Sequence, residues 1–219
     1  MVENCVIYLI VAYLIGSIPF GYLAGRLNGI DLREHGSHNI GATNATRVLG
    51  RKWGIPVFIC DFLKGYIPLV VAMHLIAGAD KGVAQYSPGE MGWCLGVMAA
   101  LVLGHTFTCY LKFRGGKGVA TMAGCLVAFL PAVAGIAILV FVGMMAITRY
   151  VSLSCLTAGA VMVIAAAWIF RTNDGQMLPA EWIALSVLAL IFLLVLWKHR
   201  GNISRIYHGT EPKAFSKKK

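Results

Sequence analysis

Residues 118–148 carry no charged side chain, and Pro131 stands in the middle of them. A run of 31 apolar and small residues is too long for one ordinary membrane span of ~20 residues. A proline inside it breaks or kinks any helix that tries to continue. The run is therefore either two short spans in a tight hairpin or one long kinked helix. Similar apolar stretches recur at about 4–27, 53–77, 91–111, 152–170 and 181–197, with 118–130 and 132–148 as the two halves of the central run. Of the 219 residues, 58% are hydrophobic and 13% charged, and mean hydropathy is +0.75. That composition excludes an ordinary water-soluble domain. It predicts an all-α integral membrane protein in which residues 1–219 form a single transmembrane domain, because the connecting loops are too short to hold another.

Charge placement chooses between the two readings of the central run. With seven spans and the N-terminus outside, sixteen of the nineteen Lys and Arg residues fall on the cytoplasmic side, seven of them in the last 22 residues. Only Lys81 and Arg171 lie outside, and Lys64 falls within the second span. Six spans would place Arg149 and the whole basic tail outside, against the positive-inside rule. The expected fold is a seven-span helical bundle with a cytoplasmic C-terminus. Its fourth helix, at about 118–130, is short enough to be partly re-entrant or to thin the bilayer locally. "MVENC" lacks the basic n-region of a cleaved signal peptide, so the first run reads as a retained span.

The net charge of +10 is scattered over short loops, which speaks against nucleic acid as a partner. The six cysteines contain no Cys-x-x-Cys pair and sit in or beside apolar runs, as small buried hydrophobes do. No carboxylate cluster suggests a metal, so neither a metal nor another cofactor is expected. No internal repeat is visible.

The polar residues collect on the expected cytoplasmic face. "FRGGKG" at 113–118 has the bare backbone and lysine of an anion site: Gly115 and Gly116 let N–H groups approach an oxyanion, and Lys117 adds a point charge. A helix beginning just after it would add its positive N-terminal end. A nucleotide-binding P-loop is excluded, because Leu111 stands where that motif needs glycine and Gly118 where it needs Ser or Thr. The plainer alternative is a Gly-rich turn carrying a basic anchor. The loop "GSHNIGATNATR" at 36–47 supplies neutral hydrogen-bond groups in Ser37, Asn39, Thr43 and Asn44, tight backbone at Gly36 and Gly41, and in Arg47 a planar fork suited to phosphate. Its plainer alternative is a connecting loop capped by Thr43 or Asn44.

Elsewhere the alternatives stay open. His199 and Asn202, three apart, share a face if the last helix continues through Gly201. Ser152 or Ser154 could cap a helix. Asp61 and Lys64, at i,i+3 within a span, read as a structural ion pair. His105 reads equally as a hydrogen-bonded structural histidine or as a site residue.

Taken together, "GSHNIGATNATR", "GHTFTCYLKFRGGKGVAT", "RYVSLS" and "HRGNISRIYHGTEPK" resemble the acyl-phosphate:glycerol-3-phosphate acyltransferases, the PlsY-type family of bacterial membranes. "GSIPFGYL" and "DFLKG" add to the likeness, which runs along nearly the whole chain in order. Thr108 departs from the family's usual proline, and Cys109 and Cys155 are atypical. The resemblance implies transfer of a fatty acyl group from acyl phosphate to the 1-hydroxyl of glycerol 3-phosphate, giving lysophosphatidic acid and inorganic phosphate. That is the first acylation step of phospholipid synthesis, at the cytoplasmic face of a bacterial inner membrane. By motif, Ser37, Asn39, Thr43, Arg47, Gly115, Gly116 and Lys117 are expected to bind phosphate. Ser152, His199 and Asn202 are expected to orient the two substrates.

The chemistry suits such residues. Acyl phosphate is already activated, so no covalent enzyme intermediate is needed, and cations with N–H groups can stabilise the developing charge. The hydroxyl proton goes to His199 or, in the preferred reading, to a substrate phosphate. None of the six histidines begins the His-x-x-x-x-Asp dyad used by the other large class of glycerolipid acyltransferases. The 25 glycines permit close helix approach around a lateral groove for the acyl chain. The partners expected are the two substrates and the bilayer, with no obligate protein partner. The competing class is a small-anion transporter, but transporters place substrate near the midplane between internal repeats. A non-catalytic scaffold leaves the neutral donors of 36–47 without a purpose.

Overall fold

The computed structural model describes residues 2–78, 83–171 and 176–214, and all regular structure among them is helical. Each expected apolar stretch contains a helix. Six are long and apolar enough to cross a membrane, among the described residues, and α6 (Val119–Phe129) is a shorter apolar helix. The central run is divided as Pro131 requires: α6 ends at Phe129, Leu130 leaves helical geometry at φ −134°, and α7 (Pro131–Thr148) restarts with the proline in its first turn. The expected first span is likewise two helices, α1 (Val2–Ser17) and α2 (Phe20–Leu27), separated at Ile18–Pro19 where the chain lacks an N–H.

The chain forms two compact units, Met1–Phe129 and Leu130–Lys219. In the first, α4 (Arg51–Ala77) packs on α3 (Ala42–Leu49), on α5 (Pro88–Thr106) and on α6, while α1 packs on α5. Two pairs of glycines set these distances. A Cβ at Gly16 would enter the Leu101 carbonyl, and one at Gly104 the Tyr13 carbonyl, so α1 and α5 touch backbone to backbone. Gly65 and Gly124 do the same for α4 and α6, against the carbonyls of Thr121 and Phe62. In lipid, where apolar surface gains little by leaving its surroundings, such close backbone approach is a main source of helix affinity. The α5 start is fixed by a capping box in which Ser87 N–H donates to Glu90 Oε2 at 2.7 Å and Glu90 N–H to Ser87 Oγ at 3.3 Å. Leu95, Met98, Leu101 and Val102 on α5 are fully buried.

In the second unit α7 packs on α8 (Val151–Ile169), α8 on α9 (Pro179–Lys198), and α10 (Arg200–Tyr207) on both α8 and α9. Arg149, in the left-handed region at φ 60°, makes the turn from α7 to α8. The tail returns to this turn: Ala214 N–H donates to Arg149 O at 2.8 Å, and Lys213 Nζ lies over the Tyr150 ring.

Candidate active site

In the loop before α3, Asn44 is the organising residue. It is 1% exposed. Its side-chain NH₂ lies 3.1, 2.9 and 2.8 Å from the carbonyls of Leu32, His35 and Asn39, and its Oδ1 accepts the Ser37 N–H at 2.8 Å. These bonds consume the amide. Asn44 therefore shapes the loop and does not offer itself to a phosphate, contrary to the expectation from sequence. Asn39 is engaged only through its acceptor: its Oδ1 accepts the Gly41 N–H at 2.8 Å, which orients the side chain while its NH₂ group makes no bond among the described residues. Gly41 is the N-cap of α3, so Thr43 and Asn44 lie inside the helix and neither caps it. Asp31 and Arg33 close the loop's other side with a 2.6 Å ion pair. The Arg33 hydrogen bond holds the Asp31 carboxyl below its ordinary value.

What this scaffold leaves available are Ser37, Arg47 and the NH₂ group of Asn39, all on half-buried residues, and the exposed Thr43. The Arg47 guanidinium has neither an ion-pair partner nor a side-chain hydrogen bond among the described residues. A guanidinium so placed suits an anion that arrives from outside.

The Gly-Gly-Lys-Gly turn is built differently from the sequence reading. After α5, Thr108 Oγ donates to the Ser17 carbonyl at 2.6 Å and accepts the Tyr110 N–H, so the residue that departs from the family pattern ties the turn to the end of α1. Lys112 and Phe113 take left-handed geometry. Gly115 N–H then donates to Thr106 O at 3.2 Å and Gly116 N–H to His105 O at 3.0 Å. Those two N–H groups are spent on the protein and cannot cradle an oxyanion. Their glycines are required for closeness: a Cβ at Gly115 would enter the His105 carbonyl, and one at Gly116 the His105 ring. Half-buried Lys117 follows, then Gly118 at φ +83°, and then the first turn of α6, whose leading N–H groups have no intrahelical acceptor. His105 is 6% exposed and lies beneath this turn, its Nδ1 3.2 Å from Thr121 Oγ and 3.5 Å from Asp61 Oδ1. Asp61 and Lys64 form the expected ion pair at 2.7 Å.

The second unit gathers Ser152 and Asn202 around a residue that the sequence reading missed. Glu211 Oε1 accepts from Ser152 Oγ at 2.7 Å and from Asn202 Nδ2 at 2.6 Å, while Oε2 accepts from Arg205 Nε at 2.8 Å. Burial raises the Glu211 carboxyl, but the bonds from Asn202, Ser152 and Arg205 outweigh it and hold the group below its ordinary value. The available signal was that Glu211 is the only acidic residue after Glu181, within a basic tail. Neither Ser152 nor Ser154 is a cap. Tyr150 is the N-cap of α8, and Ser154 Oγ donates back to the Tyr150 carbonyl.

His199 occupies the joint between α9 and α10, so the last helix is interrupted there and not at Gly201. It is 2% exposed, with Nδ1 2.8 Å from the Val195 carbonyl. A carbonyl only accepts, so Nδ1 carries the proton and Nε2 is the acceptor nitrogen of the neutral ring.

A family model described as glycerol-3-phosphate acyltransferase matches residues 6–209. The chain is 43% identical over 211 residues to a glycerol-3-phosphate acyltransferase of Bacillus cereus (strain G9842), covering 95% of each chain. It is 43% identical over 204 residues to that of Myxococcus xanthus (strain DK1622), covering 93% of this chain and 96% of the relative. Its fold matches the crystal structure of PlsY (YgiH), an integral membrane glycerol 3-phosphate acyltransferase in its glycerol 3-phosphate form. The TM-score is 0.82 and the identity 37%, over 96% of both chains. The lysophosphatidic acid form of PlsY matches with a TM-score of 0.79. With the family model spanning nearly the whole chain and relatives this similar end to end, the chain belongs to the glycerol-3-phosphate acyltransferase family.

Proposed function

We propose that this acyltransferase takes its acyl group from acyl phosphate and passes it to the 1-hydroxyl of glycerol 3-phosphate, releasing inorganic phosphate and lysophosphatidic acid. The observation that carries the reading is Arg47. The loop around it spends the Asn44 amide on its own backbone, yet leaves a half-buried guanidinium with no ion-pair or hydrogen-bond partner among the described residues. Arg47 and Lys117 neutralise substrate phosphate, with Ser37 and Thr43 as neutral donors, and a planar guanidinium grips two phosphate oxygens at once. The acyl carbon is attacked directly. The C–O bond to phosphate breaks as the ester bond forms, and the electron pair leaves with the phosphate. Cations stabilise the charge that develops on it.

The hydroxyl proton goes to a substrate phosphate, with Asn202 and Ser152, both oriented by Glu211, positioning glycerol phosphate. His199 is the alternative base, and its Nδ1–carbonyl bond supports that role by leaving Nε2 as the acceptor. The positive-inside distribution supports a seven-span arrangement with the N-terminus outside and the chemistry at the cytoplasmic face, α6 being the short fourth span that is partly re-entrant or thins the bilayer locally. The likeness to the PlsY family supports a bacterial inner membrane.

The test is reconstitution. Purified protein in lipid, given acyl phosphate and glycerol 3-phosphate, should release phosphate and form lysophosphatidic acid in equal amounts. Turnover only with an acyl thioester would overturn the donor assignment. Uptake of phosphate into vesicles without turnover would favour a transporter.

A further inference from the structure

We propose that Asp61, His105 and Thr121 form a buried relay that holds the Gly-Gly-Lys-Gly turn in register, making Asp61 and His105 positioning residues for Lys117. The inference rests on the reading of Lys117 as a phosphate-binding cation. Three helices meet in the relay: Asp61 is in the middle of α4, His105 in the last turn of α5 and Thr121 in the first turn of α6. Asp61 Oδ1 is 2.7 Å from Lys64 Nζ and 3.5 Å from His105 Nδ1, and the three side chains are 3–6% exposed. Lys64 Nζ also donates at 2.7 Å to the Ile18 carbonyl, at the break between α1 and α2.

His105 passes this order upward in two ways. Its carbonyl accepts the Gly116 N–H, and its ring lies so close beneath Gly116 that a Cβ there would displace the ring. One peptide further is Lys117. A tilt of the imidazole therefore moves the backbone from which the lysine springs.

Stability alone gives little reason for this arrangement. Replacing a buried ion pair with apolar residues of similar volume is often neutral or stabilising. An ionisable group within a membrane span is costly, and a functional reason is the default expectation for it. Here the ionic groups give His105 a fixed ring orientation that apolar contacts would not.

The test is a coupling cycle read by binding of glycerol 3-phosphate to the purified full-length protein in detergent, followed calorimetrically. His105→Leu should weaken binding by about 10-fold in the wild-type background and by less than about 2-fold in the Lys117→Ala background, because residues acting through one another are not additive. His105→Asn, whose amide nitrogen lies near the position of Nδ1, should recover binding to within about 3-fold of wild type. Thr121→Val, which keeps shape and removes only the hydroxyl, gives the same comparison if the leucine variant does not fold.

Equal losses in both backgrounds would show a merely structural role and overturn the proposal, as would unchanged binding in His105→Leu. If Lys117→Ala itself binds as wild type does, the phosphate assignment of Lys117 fails, and the relay's purpose falls with it.

Discussion

Ser152 Oγ donates a 2.7 Å hydrogen bond to Glu211 Oε1, joining positions 59 residues apart in the chain. The same oxygen accepts from Asn202, and the other carboxylate oxygen from Arg205. One buried carboxylate thus ties the start of α8, the helix α10 and the C-terminal tail together. Glu211→Ala should strand three donors at once, costing about 1–3 kcal/mol. Melting in detergent should show the loss, and turnover should fall with it because Asn202 and Ser152 lose their orientation. A variant as active and as stable as wild type would remove Glu211 from this role.

The same carboxylate makes stability depend on pH. Its proton affinity is lower in the folded chain than in the unfolded one. Its contribution is therefore complete above the ordinary carboxylate pKa of about 4.5 and disappears as pH falls through the lower folded value. Asp31, held low by Arg33, adds to the slope in the same direction. Melting temperature should decline below about pH 4.5, and less steeply in Glu211→Gln, which cannot titrate there. Parallel curves for the two proteins would contradict the assignment.

Arg47 and Asn44 stand three residues apart but should fail in opposite ways. Arg47 has no ion-pair or hydrogen-bond partner to lose among the described residues. Arg47→Ala should keep its melting temperature while kcat/KM falls by about 10²–10³-fold, the scale of losing one charged transition-state contact. Asn44→Ala removes the loop's internal clasp and should cost about 1–3 kcal/mol of stability before any effect on chemistry. Comparing melting with steady-state kinetics on both variants separates binding from scaffolding.

Gly124 probes the helix contact beneath the turn. A Cβ there would enter the Phe62 carbonyl of α4, a backbone atom that cannot swing aside. Gly124→Ala should force α4 and α6 apart and lower the yield of folded protein. Gly135→Ala on α7 has open space around its Cβ and should be silent. Equal yields would show that α6 tolerates the shift.

Much of the fold was legible because the forces behind it are local in sequence. Uncharged length predicts a helix in lipid, Pro131 divides the central run, and Asp61 and Lys64 pair because they are one turn apart. The errors have a common origin. Asn44, Gly115 and Gly116 carry the groups a phosphate site needs, but whether such groups face a ligand or their own backbone depends on how the chain bends back. Here Asn44 turns inward onto three carbonyls, and the two glycine N–H groups close onto the end of α5.

The sequence by itself thus determined an all-helical membrane protein, the motif-bearing segments and, through their likeness to relatives, the family. Only the tertiary structure decided how the groups are shared. It showed that Glu211 gathers Ser152 and Asn202, that the His105 ring lies against Gly116, and that Arg47 has no ion-pair or hydrogen-bond partner among the described residues. The reason is physical: a hydrogen bond between residues 59 apart depends on where packing places its donor and acceptor, and local pattern carries no record of that.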